Sequence, residues 1–520
     1  AIATGSDGQV LTSTGAGSPP AFEAAASGVS VLGGLTDVSM DITNFVDGLL
    51  IQPNSDGSAP TTGTLSTATG NVGIGKSTFA ALTSGDYNVG IGYNALAANT
   101  TGTSNTAVGK DSLLVNTTGG QLTAIGLGSL EANTTAANNT AVGYYSLLRT
   151  TTGADNTAVG TSALLAQTTG AQNTAVGKSA MYANTTGANN TAVGTKALDS
   201  NTTASDNTAI GYQSMEVNTT GASNIAIGSD ALGANTTGSD SVAIGRSALD
   251  ANTTGGSNTA LGRKALMTNT TASNNTAVGY YALNLNTTAA YQTAVGFEAG
   301  KATTTGNRSV FVGYQSGLDN TTGAQNTFLG ERSGENNTTA NYNTAIGSVA
   351  LQANTTGANN TAVGHQALDA NTTGATNTAL GRDSLTTNTT ASANTAVGHS
   401  SLELNTTGAN NTAVGKDALG SNTTADNNVA VGNDCLDANT TGANNTAVGE
   451  SALGANTTGS SNTAMGYNSL PAVTTGINNT AVGKDVLKTN VTGSYNVAIG
   501  VGCLETTTAS GGTAVGYKAL

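Results

Sequence analysis

Tryptophan is absent from this 520-residue chain, phenylalanine occurs 6 times, and charged residues make up only 9% of it. Large side chains normally fill the thick core of a globular domain, so a chain this poor in them is expected to build a thin one. Cations are scarce as well. Sixteen Lys and Arg stand against 30 Asp and Glu, a net charge of −14 that argues against nucleic acid as a partner. No apolar run is long enough to cross a membrane, and none reads as a signal peptide. The two cysteines, Cys435 and Cys503, lie four repeats apart, on the order of 19 Å at the rung spacing of stacked strands, too far for a disulfide within one chain. They are expected as small buried apolar residues. Four of the five prolines fall at Pro19, Pro20, Pro53 and Pro60, which confines proline-rich chemistry to the first 70 residues.

What the chain has is repetition. Asn-Thr-Ala-Val-Gly or a close variant recurs every 17 residues, closing at Gly75, Gly92, Gly109 and onward in phase to Gly500. That makes 26 copies, and a further one closes at Gly516 after 16 residues. One short unit repeated in strict phase reads as a solenoid. It also argues against an enzyme, because like residues spread along a line do not converge on one point. A unit is numbered from its first Asn, as in residues 190–206. Positions 2 to 4 read as a short strand, and positions 8 and 9 as a second apolar, extended segment. Gly at position 5 implies positive φ or a close backbone approach. Positions 12 to 17 are rich in turn formers. The predicted fold class is therefore all-β: a parallel β-solenoid, or β-roll, of 17-residue coils over 71–520. Residues 1–70 form a separate segment of small β modules, a cap or a joint. A helical repeat is disfavoured by the density of Thr, Asn and Gly.

Three consecutive units break the pattern together. Position 9 is Gly300, Gly317 and Gly334 instead of Leu, and position 3 is Phe311 and Phe328 instead of Ala in two of them. Gly73 and Phe79 run the exchange in reverse. Conserved total volume implies that positions 3 and 9 share one core. Phe311 is also expected to fill the space beside Gly300 on the preceding rung. Position 4, always Val, Ile, Leu or Met, then points outward. Such a stripe in water is unusual, so a second copy of the chain is expected to cover it, giving a parallel homo-oligomer, most simply a trimer. The alternative arrangement puts position 4 inside and position 3 in a partly exposed seam.

Asn at position 12 admits two readings: a buried amide ladder, or glycosylation at Asn-Thr-Thr sequons such as Asn201 and Asn354. No catalytic constellation, cofactor motif or metal-ligand spacing stands out. His365 and His399 are two rungs apart, too wide to share an ion. Position 6 is the richest column. It carries half of all Lys and Arg and half of all Tyr. Lys110, Tyr144, Lys178, Tyr212, Arg246, Arg263, Tyr280, Tyr314, Arg382, Lys416, Tyr467 and Lys484 form a candidate surface-binding ridge for a cell-surface glycan or receptor, gaining strength by avidity. The bland alternative is a solvated ridge. Paired threonines at positions 13 and 14 raise an ice-binding reading, weakened by their place in a turn.

The run Asn-Thr-Ala-Val-Gly with Ala or Ser three residues on, as in Ala192-Val193-Gly194 with Ala197, resembles the repeat of trimeric autotransporter adhesin heads. The longer unit is similar to repeats of phage tail fibres and large bacterial surface proteins. Gly5 to Gly15, Pro19 to Phe22 and Gly34 to Ser39 are similar to tail-fibre segments. The resemblance implies a trimeric left-handed β-roll, although the longer unit must enlarge one turn. A start at Ala1 leads one to expect an upstream segment. A stop at Leu520, halfway round a coil, leads one to expect a C-terminal domain or a docked subunit. The resulting expectation is an extracellular, cell-surface or virion fibre of roughly 26 rungs, on the order of 125 Å long, without membrane insertion. A head-to-tail surface filament is the main alternative, and an ice- or carbohydrate-binding solenoid the third.

Overall fold

A computed structural model of the chain describes residues 9–12, 21–24, 38–42, 45–52 and 62–520. They fall into two compact units, Ala1–Thr237 and Gly238–Leu520. No helix occurs among the described residues. The tail-fibre-like segments lie mostly outside them, as do Pro19, Pro20, Pro53 and Pro60.

In the N-terminal unit, β1 (Gln9–Thr12) pairs antiparallel with β2 (Ala21–Ala24), and β3 (Val38–Ile42) pairs antiparallel with β4 (Phe45–Ile51). β4 then starts a parallel ladder, with Leu49, Leu50 and Ile51 opposite Val72, Gly73 and Ile74. The solenoid therefore begins ahead of residue 71, on a strand without the repeat motif. Ten three-residue coil strands follow, from Val72–Ile74 to Ile225–Ile227. The C-terminal unit contains seventeen more, from Val242–Ile244 to Thr513–Val515. Within each unit like residues pair with like, for example Thr191, Ala192 and Val193 with Thr174, Ala175 and Val176.

Each coil has one strand, not the two extended segments expected. Positions 6 to 11 are a chain of tight turns in which positions 7 and 9 adopt left-handed backbone, as in Lys196 (φ 61) and Leu198 (φ 53). The Ala197 amide donates to the Gly194 carbonyl at 3.3 Å, and the Asn201 amide to Leu198 at 3.2 Å. The sequence reads as extended here because Ala-Leu is apolar, but apolarity does not fix φ. Stacking compensates the strain. The Leu198 amide donates to Ser214 of the next coil at 3.0 Å, and the Lys196 amide to Lys178 of the previous coil at 3.0 Å, so turns as well as strands bond between rungs. Gly at position 5 meets both sequence-based demands. Gly194 has φ 136, and a Cβ there would lie 2.7 Å from the Gly211 carbonyl carbon.

Positions 3 and 9 line one thin core. Ala192 and Leu198 are fully buried, as are Phe311 and Phe328. A Cβ on Gly300 would sit 2.5 Å from Phe311 Cδ2, and one on Gly334 would sit 2.5 Å from Phe328 Cε2. The volume exchange is thus direct contact, and Phe311 fills the space beside Gly300 from the next rung. At these rungs the left-handed position (φ 56 to 60) is also given to glycine, which occupies it without steric cost. The arrangement with position 3 in an exposed seam is excluded, since position 3 is inside and position 4 outside.

Candidate functional site

The interior holds two columns of asparagine. At position 12, Asn371 Nδ2 donates to Asn354 Oδ1 at 2.9 Å and to its own coil's Gly374 carbonyl at 2.9 Å. Asn388, Asn405, Asn422, Asn439 and Asn456 continue the chain at 2.8 to 3.0 Å. Position 1 forms a second ladder that sequence reading did not single out. The Asn377 backbone amide donates to Asn360 Oδ1 at 2.9 Å, and Asn360 Nδ2 reaches the same Gly374 carbonyl at 2.9 Å. Constancy at position 1 was the available signal, but it was absorbed into the strand motif.

This geometry corrects the glycosylation reading of Asn201 and Asn354. Both are fully buried. Each spends its amide on the ladder and on a carbonyl of its own coil, Ala204 for Asn201 and Gly357 for Asn354. A glycan on either nitrogen has no space within the coil.

The ladder breaks in a directional way at Thr150, Thr303 and Val473, whereas Gln167 accepts from Asn184 Nδ2 at 3.2 Å as an asparagine would. Each Nδ2 donates to the previous coil, so a break orphans the preceding Oδ1. Thr150, Thr303 and Val473 leave Asn133, Asn286 and Asn456 Oδ1 without partners. The threonines at position 13 are committed to the fold: Thr202 Oγ1 donates to the Thr219 carbonyl at 3.2 Å. That removes one of the two hydroxyl columns proposed for ice binding, and the other, at position 14, lies outside the strand.

Outside, the strand presents positions 2 and 4. Position 4 is exposed at Leu261 (43%), Leu329 (44%) and Leu380 (46%), and every residue at positions 2 to 4 of every coil is uncharged. The position-2 hydroxyls, such as Thr191 and Thr361, have no partner among the described residues. Sequence reading anticipated the apolar stripe but not the unbonded threonine column beside it.

All twelve predicted ridge residues are on the surface. The structure joins some of them. Arg263 lies 5.7 Å from the Tyr280 ring centre, Tyr280 stacks on Phe297 at 5.4 Å, and Phe297 stacks on Tyr314 at 5.4 Å. Lys484 lies 5.6 Å from the Tyr467 ring. Tyr144 packs at 3.9 Å against Tyr145, the next residue. Lys178, Tyr212 and Arg246 have neither a stacked ring nor an ion pair among the described residues. Position 7 neutralises part of the ridge. Lys110–Asp111 and Lys416–Asp417 pair at 2.5 Å, Arg382–Asp383 at 2.8 Å and Lys484–Asp485 at 3.9 Å. The hydrogen bond to Asp111 raises the Lys110 ammonium above its usual range. Burial pushes Asp111 up, but its bonds to Lys110 and Asn94 outweigh that and hold it below the usual carboxylate value. His365 and His399 each approach an Asp of the next rung, Asp383 at 4.0 Å and Asp417 at 3.9 Å.

Cys435 and Cys503 are buried and free, with Sγ donating to the Ala447 carbonyl at 3.3 Å and the Ala514 carbonyl at 3.2 Å. They take the place of Ser214, whose Oγ bonds the Ala226 carbonyl at 3.0 Å. Burial pushes the Cys435 thiol up to about 12, so it is not a nucleophile at neutral pH. Among the described residues no group of three or more His, Cys, Asp or Glu could hold a metal ion, and no helix is long and apolar enough to cross a membrane.

The coils define a parallel β-solenoid of 17-residue repeats, an architecture that fits a structural, fibre-like protein. No protein-family model matches the chain, and no curated protein is similar enough to it to count as a relative.

Proposed function

We propose that this chain is the subunit of an extracellular or virion-borne fibre that attaches to a cell surface, and that copies associate in parallel, as a trimer, through their strand faces. It works by mechanical reach and adhesion, not catalysis. The observation that carries the reading is the outer strand face: β-branched or aliphatic at positions 2 and 4 in every coil, free of charge, and half exposed. Position 6, which also faces water, varies from coil to coil, and the other exposed column that stays constant, Thr at position 14, lies in a turn and not on the strand. A surface kept constant at the rung spacing is matched by a partner with the same spacing, and another copy of this chain has it. The resemblance of the Asn-Thr-Ala-Val-Gly repeat to trimeric adhesin heads supports the same stoichiometry.

Mass in solution tests it. The full chain is expected to run as a discrete trimer at micromolar concentration. Leu261→Asp, Leu329→Asp and Leu380→Asp together are expected to yield a monomer with unchanged circular dichroism. A wild-type monomer sinks the proposal, and an open series of rising masses favours end-to-end filament assembly instead. A second reading, ordering of water by the unbonded position-2 threonines, would show as thermal hysteresis in a monomeric preparation.

A further inference from the structure

The ridge is not electrically uniform. Where a position-6 cation precedes Asp, the two pair and the charge is cancelled within the coil, as at Lys110, Arg382, Lys416 and Lys484. Around Arg263 the logic is reversed. Arg246 precedes Ser247, and Arg263 precedes a second cation, Lys264. None of these three cations has a carboxylate partner among the described residues. From residue 246 to 318 five cations stand against two carboxylates, Asp250 and Glu298, and Lys301 holds Glu298 at 2.7 Å. In a chain of net charge −14 this is a local excess of positive charge.

Three aromatic rings continue the same column. Tyr280, Phe297 and Tyr314 stack with planes inclined by 9° and 11°, and all three are exposed. Their faces lie against one another, and Arg263 lies over the ring of Tyr280. What solvent meets is ring edges, the positive rim of the quadrupole, with the Tyr314 hydroxyl as a donor. A neutral sugar recognised by an aromatic residue needs an open ring face for its C–H groups, and both faces of Tyr280 and of Phe297 are covered. Anions favour both the edges and the unpaired cations. Lys264 lies 5.4 Å from the Tyr281 ring centre, which adds positive charge beside the stack.

We propose that Arg246, Arg263, Lys264 and the ring edges of Tyr280, Phe297 and Tyr314 form a binding surface for an anionic polysaccharide. The proposal deepens the attachment reading and rests on it for its biological role. Arg246 and Arg263 stand on adjacent rungs of one column with Lys264 beside them, which suits a polymer whose charges recur along its length. Single-stranded nucleic acid fits poorly, because the ring faces on which its bases would stack are closed against one another.

Binding of the full chain to polygalacturonate, dextran sulfate, neutral dextran and a single-stranded DNA oligonucleotide, measured by calorimetry at two salt concentrations, tests this. The expected result is binding to one or both polyanionic sugars that weakens with salt, with none to dextran. Preference for polygalacturonate identifies carboxylate sugars, and preference for dextran sulfate identifies sulfated ones. Arg263→Ser with Lys264→Ser is expected to weaken binding about tenfold, because it removes two exposed charge contacts. Serine already occupies position 6 at Ser229 and position 7 at Ser247, so the coil accepts it. Lys196→Ser with Glu216→Ala, an ion pair off the ridge, is expected to leave binding unchanged. The proposal is overturned if neither polyanionic sugar binds, if dextran or DNA binds as well, or if the Arg263/Lys264 variant binds like wild type. These readouts are independent of oligomeric state, so a monomer that binds polyanionic sugar refutes the trimer alone.

Discussion

Removing one rung of the asparagine ladder should cost far more than removing an ordinary surface amide. Asn388 is fully buried and makes three bonds through its side chain. Nδ2 donates to Asn371 Oδ1 at 2.9 Å and to the Ala391 carbonyl at 3.1 Å, and Oδ1 accepts from Asn405 Nδ2 at 3.0 Å. Truncation to Ala leaves different residues behind at each end. Ala391 keeps its bond from Asn377 Nδ2 at 2.9 Å, and Asn405 keeps its bond to Gly408 at 2.9 Å. Asn371 Oδ1 keeps nothing. A buried acceptor left alone costs about 1–3 kcal/mol, and each ordinary bond lost about 1 kcal/mol, so Asn388→Ala is expected to lose about 3 kcal/mol or more. Asn388→Asp keeps the shape but removes both donors, and should lose at least as much at neutral pH. Thr303→Asn runs the other way. It offers a donor to the orphaned Asn286 Oδ1 and replaces the 3.4 Å contact from Asn320 to Thr303 with a ladder bond, for a gain of about 1–2 kcal/mol. A solenoid need not unfold in one step, so amide hydrogen exchange is the assay. Protection should fall in the coils on either side of residue 388 and rise around 303. Unchanged protection in Asn388→Ala, or a loss in Thr303→Asn, would refute the ladder as a source of stability.

Three further outcomes are expected. Phe311→Ala should cost about 3–5 kcal/mol, because Gly300 and Gly317 have no side chains to fill the space, and adding Gly317→Leu should restore most of it. The remainder, about 1–2 kcal/mol, is the cost of a left-handed leucine, and additive losses in a hydrogen-exchange or denaturation cycle would contradict shared volume. Gly398→Ala should prevent the coil from stacking, since its φ is 137 and the new Cβ would sit 2.6 Å from the Gly415 carbonyl carbon; near-normal melting would count against the close approach. Burial, then the charges of Asp417 and Asp434, raise the Asp437 carboxyl above its ordinary value, so its contribution to stability is present at low pH and lost as pH rises through that raised value. Asp437→Asn should therefore melt higher than wild type at pH 7, with the difference shrinking as pH falls, and a difference that grows in acid would reverse the assignment.

Much of the fold was legible because the repeat makes every exception informative. Gly300, Gly317 and Gly334 stood out against Leu, Phe311 and Phe328 stood out against Ala, and together they located the core before any coordinate. The second extended segment was misread for a physical reason. Ala197-Leu198 is apolar enough for a strand, yet Leu198 takes φ 53 because the turn that carries it is held by bonds to the next coil. Local propensity opposes that backbone, and only stacking supplies the compensation. Asn201 was ambiguous for a related reason: a sequon and a buried amide have the same letters.

The sequence by itself determined the period, the all-β class, the pairing of positions 3 and 9, and the outward stripe at position 4, because each follows from volume and alternation along one coil. The tertiary structure alone decided which asparagines bond to which, that the glycosylation sequons lie inside, and that Tyr280, Phe297 and Tyr314 stack face to face while Arg263 and Lys264 stay unpaired. Those properties depend on where side chains of neighbouring coils meet, and the distance between adjacent rungs is set by hydrogen bonds between residues 17 apart.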